Sequence, residues 1–360
     1  MRRYATTVDA VSELLASWNE PTYRAQQVIE GLYDQRRPLE DLTNIGKDLR
    51  TRLADAFPLA LEPVLEQVAA DAHTAKWLWR TYDGSQVETV LMRSPSRATV
   101  CVSSQAGCAM ACTFCATGQA GFERHLDADE IVEQVARAQH FTDQRVSNVV
   151  FMGMGEPLAN FDAVWNSVET LHGKFGISAR HLTISTVGVV PGMLRLVDAP
   201  LPVTLAVSLH APDDALRSEL VPLNRRYSIG EVLDAAAAVA RAHGRRVTFE
   251  YAAIDQVNDS IAQADALANL LIGFPGGVHI NVIPLNPTAG FPGSAPDNRR
   301  VRTFADRLVS HGVNATVRRN RGVDIDAACG QLRMRADGTP VPDPTVRAGH
   351  NDEPETPGVQ

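Results

Sequence analysis

The chain has 360 residues, 44% hydrophobic and 21% charged, a composition that supports a sizeable core without disulfide or metal staples. It contains no run of eighteen apolar residues, which argues against a transmembrane helix, and MRRYATTVDAVSELL lacks the apolar centre of a secretion signal, so a cytosolic protein is expected. The net charge of −8 is uneven: residues 336–360 carry five acids and one base, residues 296–335 nine arginines and four aspartates, which leaves nucleic acid open as a partner.

Residues 1–56 read as a small helical domain. SELLASW, YRAQQVIEGLYD and DLTNIGKDLRTRL place apolar residues three and four apart, with Pro21 and Pro38 between them. Residues 57–96 read as a β-hairpin extension: AKWLWRTY, then Asp83-Gly84, then SQVETVLMR. RATVCVSS follows as a strand and opens a unit at 97–335. There NVVFMG, HLTIST, VTLAVSL, RVTFEYA, VHINVIPL and NATVRR alternate with helical stretches such as ADEIVEQVARAQHF and IGEVLDAAAAVARAH. Such alternation predicts α/β architecture with parallel strands and right-handed crossovers, and six units suggest a partial (β/α)6 barrel. Polar residues gather at the strand ends, at Gly153 to Glu156, Ser185, Ser208 to His210 and Asn286, where barrels place chemistry. The tail from Ala336, with five prolines and three glycines, reads as disordered.

Four of the five cysteines fall within fifteen residues. An odd, sparse set without a secretion signal does not read as a disulfide framework. GCAMACTFCATG spaces Cys108, Cys112 and Cys115 as C-x3-C-x2-C, just after a strand. Three thiolates can hold three irons of a cubane and leave the fourth open, which suits catalysis better than electron transfer. The competing reading is a structural zinc site that adds Cys101, although its spacing lacks the paired C-x2-C knuckles and Cys101 lies within a strand.

The C-x3-C-x2-C spacing at the head of a β/α barrel, with Phe114 before the third cysteine, resembles the radical S-adenosylmethionine (radical SAM) superfamily. CVSSQAGCAMACTFCATG, FMGMGEPL, TISTVGVVPGM, SLHAP, VPLNRRY, IPLNP and RGVDIDAACGQL then follow in order. Over residues 10–335 they resemble the RlmN/Cfr family of RNA adenine methyltransferases, the RlmN branch most closely.

That resemblance implies a [4Fe-4S] cluster on Cys108, Cys112 and Cys115, with S-adenosyl-L-methionine chelated by the open iron. It implies contacts to that molecule from Gly155, Glu156, Ser185, Ser208, Leu209, His210 and Asn286. The reaction implied is methylation of adenosine C2 in the peptidyl transferase centre of 23S rRNA and 3′ of the tRNA anticodon. An aromatic CH is not nucleophilic, so direct transfer should fail. Instead Cys329 takes a methyl group, hydrogen abstraction makes it a carbon radical, and the radical adds to the ring. Glu88 is the implied base for the ring proton, its place in the strand otherwise reading as a solvent-facing carboxylate. Cys101 would then release the RNA through a transient disulfide to Cys329, an alternative to its reading as a small buried hydrophobe. Arg318, Arg319 and Arg321 beside the Cys329 loop, with Arg225 and Arg226, are candidate phosphate contacts. The adenine must leave its stack. The N-terminal helices help bind RNA in that family. A flavodoxin or ferredoxin would donate electrons, and a monomer is expected. Three alternatives stay open: C8 methylation as in the Cfr branch, a zinc-stabilised RNA-binding protein without catalysis, and a radical SAM enzyme for a small molecule.

Overall fold

A computed structural model describes residues 1–318 and 322–332. Arg319, Arg321 and the expected acidic tail at 336–360 lie outside the described residues.

The N-terminal region holds α1 (Val8–Ser17), α2 (Arg24–Ile29) and α3 (Lys47–Ala56), with a single π turn continuing α2 over Glu30–Asp34. The helix expected across DLTNIGKDLRTRL starts only at Lys47, after a 3-10 turn at Leu39–Asp41. Thr7 caps α1, its hydroxyl accepting from the Ala10 amide at 3.2 Å. The apolar stripes of these helices bury Val11, Leu15, Val28, Leu32, Leu49 and Leu53 in a core continuous with that of the barrel. Tyr33 meets Phe175 edge-on at 5.4 Å between centroids. Arg36 reaches across and donates to the Val146 carbonyl at 2.8 Å and to that of Phe175.

Next come β1 (Glu62–Val68), β2 (Thr74–Arg80), β3 (Gln86–Ser94) and β4 (Arg97–Cys101), all antiparallel neighbours. The hairpin expected from sequence is β2–β3. The strand β1 is an addition, at the sheet edge where Pro63 is tolerated beside a bulge. From β2, buried Trp77 packs on Phe141 at 4.6 Å between centroids and buried Trp79 under the Arg137 guanidinium. After β4 the chain forms β5 (Gln105–Gly107), α4 (Ala116–Ala120) and β6 (Phe122–His125); β5 and β6 pair antiparallel and bracket the cysteine loop.

The remainder alternates: α5 (Ala128–Gln139), β7 (Val146–Phe151), α6 (Phe161–Gly173), β8 (Leu182–Thr186), α7 (Val190–Val197), β9 (Thr204–Ser208), α8 (Asp214–Leu220), α9 (Ile229–His243), β10 (Val247–Ala253), α10 (Ile261–Leu271), β11 (Val278–Pro284), α11 (Asn298–Ser310) and β12 (Asn314–Val317). The strands β4-β7-β8-β9-β10-β11-β12 lie side by side and parallel. Among the described residues β12 pairs only with β11, so the barrel is open, as the alternating pattern predicts. Helix starts are set by side chains: Asp127 with Glu130, Ser228 with Glu231 and Ser260 with Gln263 form reciprocal capping boxes on α5, α9 and α10. Outward residues of β10 pack on helices or their loops, Tyr251 on Phe304 and Phe249 on Phe274. Its inward residues Glu250 and Ala252 face the barrel interior, where the site lies.

Candidate active site

One cavity of about 170 Å³ opens at the C-terminal ends of the parallel strands. Of the residues singled out from sequence, Cys112, Cys115, Gly155, Glu156, Ser185, Ser208, His210, Asn286 and Cys329 line it. Cys108, Cys101, Glu88 and Leu209 do not. Leu209 is buried, its amide donating to Glu250 O at 3.0 Å and its carbonyl accepting from Arg217 Nε at 3.0 Å. Its contribution to the site is therefore backbone placement of His210.

The β7 end is shaped by close approach. A Cβ on Gly153 would sit 2.7 Å from the Val102 carbonyl. Gly155 has φ +100°, and a Cβ there would lie 2.5 Å from that of Gln105. Glu156 follows, buried, its carboxylate accepting from the amides of Leu158 at 3.0 Å and Val187 at 2.9 Å. Burial raises its carboxyl to about 7, with the two amides acting in opposition.

At the β9 end His210 takes φ +62°, a left-handed conformation costly for a residue with a Cβ. Asn258 holds it there by donating to its carbonyl at 2.8 Å. The Ala252 amide donates to Nδ1 at 3.0 Å, so Nε2 carries the proton. Burial and then Arg217 push the imidazole down to about 3, which keeps it neutral. Its ring stands edge-on to Phe114 at 4.8 Å.

Cys108, Cys112 and Cys115 share one loop, and burial raises the thiols of Cys108 and Cys112, each also feeling Cys115. Gly118 packs against this turn: a Cβ would lie 2.9 Å from the Cys112 nitrogen. Among the described residues, no three His, Cys, Asp or Glu side chains converge on a single-ion site. A cubane takes each thiolate on a different iron, and three soft thiols on one loop are a donor set that fits it.

The segment carrying Cys329 lies against that loop. The Ala116 amide donates to Gly330 O at 2.8 Å, Thr117 Oγ1 to Leu332 O at 2.8 Å, and Asn286 Nδ2 to Cys329 O at 3.0 Å. Among the described residues Asn286 Oδ1 is buried without a partner, an acceptor in the cavity wall. Cys329 is open to the cavity, although surrounding protein raises its thiol, and it is felt by buried Cys101 at the end of β4. All five cysteines are free thiols, so the disulfide implied for Cys101 and Cys329 is not formed in this state. Glu88 is fully buried rather than solvent-facing, and forms an ion pair with Lys76 at 3.0 Å.

The chain matches the model of the radical SAM superfamily over residues 102–268 and that of the ribosomal RNA large subunit methyltransferase N-terminal domain over residues 5–58. It is 49% identical to the "Probable dual-specificity RNA methyltransferase RlmN" of Frankia casuarinae, over 91% of this chain and 81% of that one. The chain belongs to the RlmN family. An RlmN relative named in the same words from Chloroflexus aurantiacus is 47% identical over 92% of each chain. The crystal structure of a radical SAM methyltransferase from Sphaerobacter thermophilus superposes with TM-score 0.85 at 48% identity, covering 92% of this chain and 99% of that one. Membership of the RlmN family makes the chain a radical SAM RNA methyltransferase, and the α/β fold agrees.

Sequence reasoning missed the charged residues that hold the site. Glu250 lines the cavity and accepts from Asn281 Nδ2 at 2.7 Å. Fully buried Arg217 donates to the carbonyls of Leu209, Ser208 and Val187 at 3.0, 3.0 and 2.7 Å and to Asn224 Oδ1 at 2.7 Å, tying the β8 and β9 ends together. The only sequence signal for Glu250 is a lone charge between Phe249 and Tyr251 in a strand otherwise fit for burial. Arg217→Met is expected to cost about 3–5 kcal/mol of stability, because it strands three buried carbonyls. Urea unfolding checks this, and a change below about 1 kcal/mol would show that the bonds are replaceable by water.

Proposed function

We propose that the chain methylates C2 of adenosine in 23S rRNA and in tRNA, 3′ of the anticodon, with Cys329 carrying the methyl group as S-methylcysteine. The observation that carries this reading is the Cys329 segment bonded to the cysteine loop over one cavity. Cys108, Cys112 and Cys115 would hold a [4Fe-4S] cluster, and Gly155, Glu156, Ser185, Ser208, His210 and Asn286, with Leu209 through its backbone, would hold S-adenosyl-L-methionine. Together these groups, when bound, supply a hydrogen-atom abstractor and a methyl donor.

The chain's own residues do the rest. Glu156, fixed by two amides, is placed to accept an ammonium group. Neutral His210 offers an Nε2 donor, and Asn286 Oδ1 an acceptor. Cys329 presents its sulfur to the cavity, and the methylene radical on that sulfur adds to the adenine ring. Glu88 takes the C2 proton, and its raised value of about 7 suits a base at neutral pH. Cys101 gives up its thiol proton and attacks the Cys329 sulfur: the S–S bond forms, the sulfur–methylene bond breaks with its electron pair going to the adenine side, and protonation there completes the methyl group and frees the RNA. The adenine must be unstacked to reach this depth.

Residues 1–56 would act as an RNA-binding accessory, 57–96 as the extension that brings Glu88, and 97–335 as the barrel with its catalytic loop. Exposed Arg318 would contact phosphate, as would Arg225 and Arg226. No helix among the described residues is long and apolar enough to cross a membrane. A cytoplasmic monomer reduced by a flavodoxin or ferredoxin fits this reading.

The test is the mass of the Cys329 peptide from protein isolated without oxygen. One added methylene is expected, together with the brown absorption of an iron–sulfur protein. A colourless zinc protein, or an unmodified Cys329 in iron-loaded protein, would overturn the reading. Nucleoside analysis of the product RNA separates 2-methyladenosine from the 8-methyl isomer.

A further inference from the structure

We propose that Lys76 is the positioning residue for proton removal: its ammonium favours the ionised form of Glu88 and ties that carboxylate to the loop that carries Cys329. The inference rests on Glu88 being the base, as read above.

Lys76 lies on β2 and Glu88 on β3. Leu78 pairs with Glu88 and Lys76 with Val90, so the two charges are diagonal neighbours on one face of the hairpin. Lys76 Nζ is 3.0 Å from Glu88 Oε1, with side chains 2% and 0% exposed. The same ammonium donates to the Asp326 carbonyl at 3.2 Å. Asp326 has φ +50° and precedes Cys329 by three residues, in a turn closed by the Ala327 amide on Gly322 O at 2.8 Å. One side chain thus joins the base to the methyl carrier's loop.

Stability alone does not account for this pair. Burying an ammonium and a carboxylate costs several kcal/mol, and apolar replacement of such a pair is often neutral or stabilising. Among the described residues, Lys76 is the one polar side chain bonded to the Glu88 carboxylate, and it favours the ionised form by both charge and hydrogen bond. Burial raises the carboxyl, Lys76 lowers it, and the Asp326 carboxylate raises it slightly. On β4, the neighbouring Cys101 sits opposite Val90, and Ser103 Oγ donates to the Glu88 carbonyl at 2.6 Å.

In the step itself the C2–H bond breaks, its electron pair stays on the ring, the proton goes to Glu88, and the adduct's unpaired electron would pass to the cluster that Cys108, Cys112 and Cys115 would hold. Without Lys76 the carboxyl would be protonated at neutral pH, and the covalent protein–RNA adduct on Cys329 would persist.

The experiment follows that adduct on denaturing gels in full-length, cluster-loaded Lys76→Met, Lys76→Arg and Glu88→Gln proteins from pH 6 to 9. Lys76→Met is expected to slow adduct resolution about tenfold or more at pH 7 and to recover towards pH 9, moving the midpoint up by about one unit or more. Lys76→Arg should keep the wild-type profile, and Glu88→Gln should hold the adduct at every pH. A Lys76→Met rate that is unchanged, or lowered equally at all pH values, overturns the inference while leaving Glu88 as base. A Lys76→Arg profile shifted like that of Lys76→Met overturns it as well, and this arm stands even if Lys76→Met folds poorly. Normal resolution in Glu88→Gln overturns the base reading instead.

Discussion

Cys101→Ala protein is expected to complete the first half of its reaction and stall, with RNA covalently attached through Cys329. In the mechanism proposed above, methylation of Cys329 and addition to the ring do not call on Cys101; only release does. Cys101 ends β4, buried at 7% exposure, and negative charge on Cys329 would raise its thiol further. Burial, then Cys329, raise the Cys101 thiol, which keeps it protonated and inert towards stray oxidants, so the proposed attack must shed that proton as the S–S bond forms. The substitution removes one buried sulfur, a cost of about 1 kcal/mol, so folding should survive. Product formation should fall at least about a hundredfold, as expected when a single required nucleophile is lost. Cys329→Ala should give neither product nor adduct. Denaturing gels with labelled RNA distinguish the cases. A Cys101→Ala enzyme that turns over at the wild-type rate would make Cys101 a packed core residue and assign release to another group.

The sequence made the barrel readable because its strands are short apolar runs flanked by polar ends, and its helices begin at written caps. IGEVLDAAAAVARAH is helical from Ile229 to His243, bounded by the Ser228–Glu231 box and by Gly244 in the left-handed region. The strand β1 escaped because an edge strand with Pro63 and two glutamates is half exposed and shows no clean alternation. The β5–β6 pair escaped because its three-residue strand Gln105–Gly107 finds its partner only across the cysteine loop. The site divides the same way. Its cysteines and glycines stand in contiguous motifs, so family resemblance reaches them. Lys76, Glu250 and Arg217 are isolated charges whose meaning lies in partners that only folding supplies: Glu88, Asn281 and three carbonyls. Periodicity even misdirects, since it leaves a charge in a strand facing solvent, whereas both faces of β3 are buried from Val87 to Leu91.

Gly155→Ala is expected to lose affinity for S-adenosyl-L-methionine by about tenfold or more while lowering stability more than its backbone alone explains. Two penalties combine. The first is conformational: φ +100° is a region where a residue with a Cβ pays about 1–3 kcal/mol. Gly84, at the β2–β3 turn, has φ +88° with nothing within 4 Å of an added Cβ, so Gly84→Ala measures that penalty by itself. The second is overlap: at Gly155 the new carbon meets the Gln105 Cβ at 2.5 Å and its nitrogen at 2.8 Å, and the backbone nitrogen cannot swing aside. Something must move, and Gln105 is the side chain that the new carbon meets. The Glu156 amide donates to Gln105 Oε1 at 2.8 Å, so displacing Gln105 pulls directly on Glu156. A carboxylate shifted by even part of an ångström loses the amides of Leu158 and Val187 that aim it, and a charge-assisted contact to an ammonium is worth enough to account for the tenfold loss. Thermal melts of the two variants, with equilibrium binding of S-adenosyl-L-methionine to each, check the argument. Gly84→Ala should bind as wild type does. If Gly155→Ala binds equally well, Glu156 is not the group that holds the ligand, and the cavity's assignment to S-adenosyl-L-methionine falls with it.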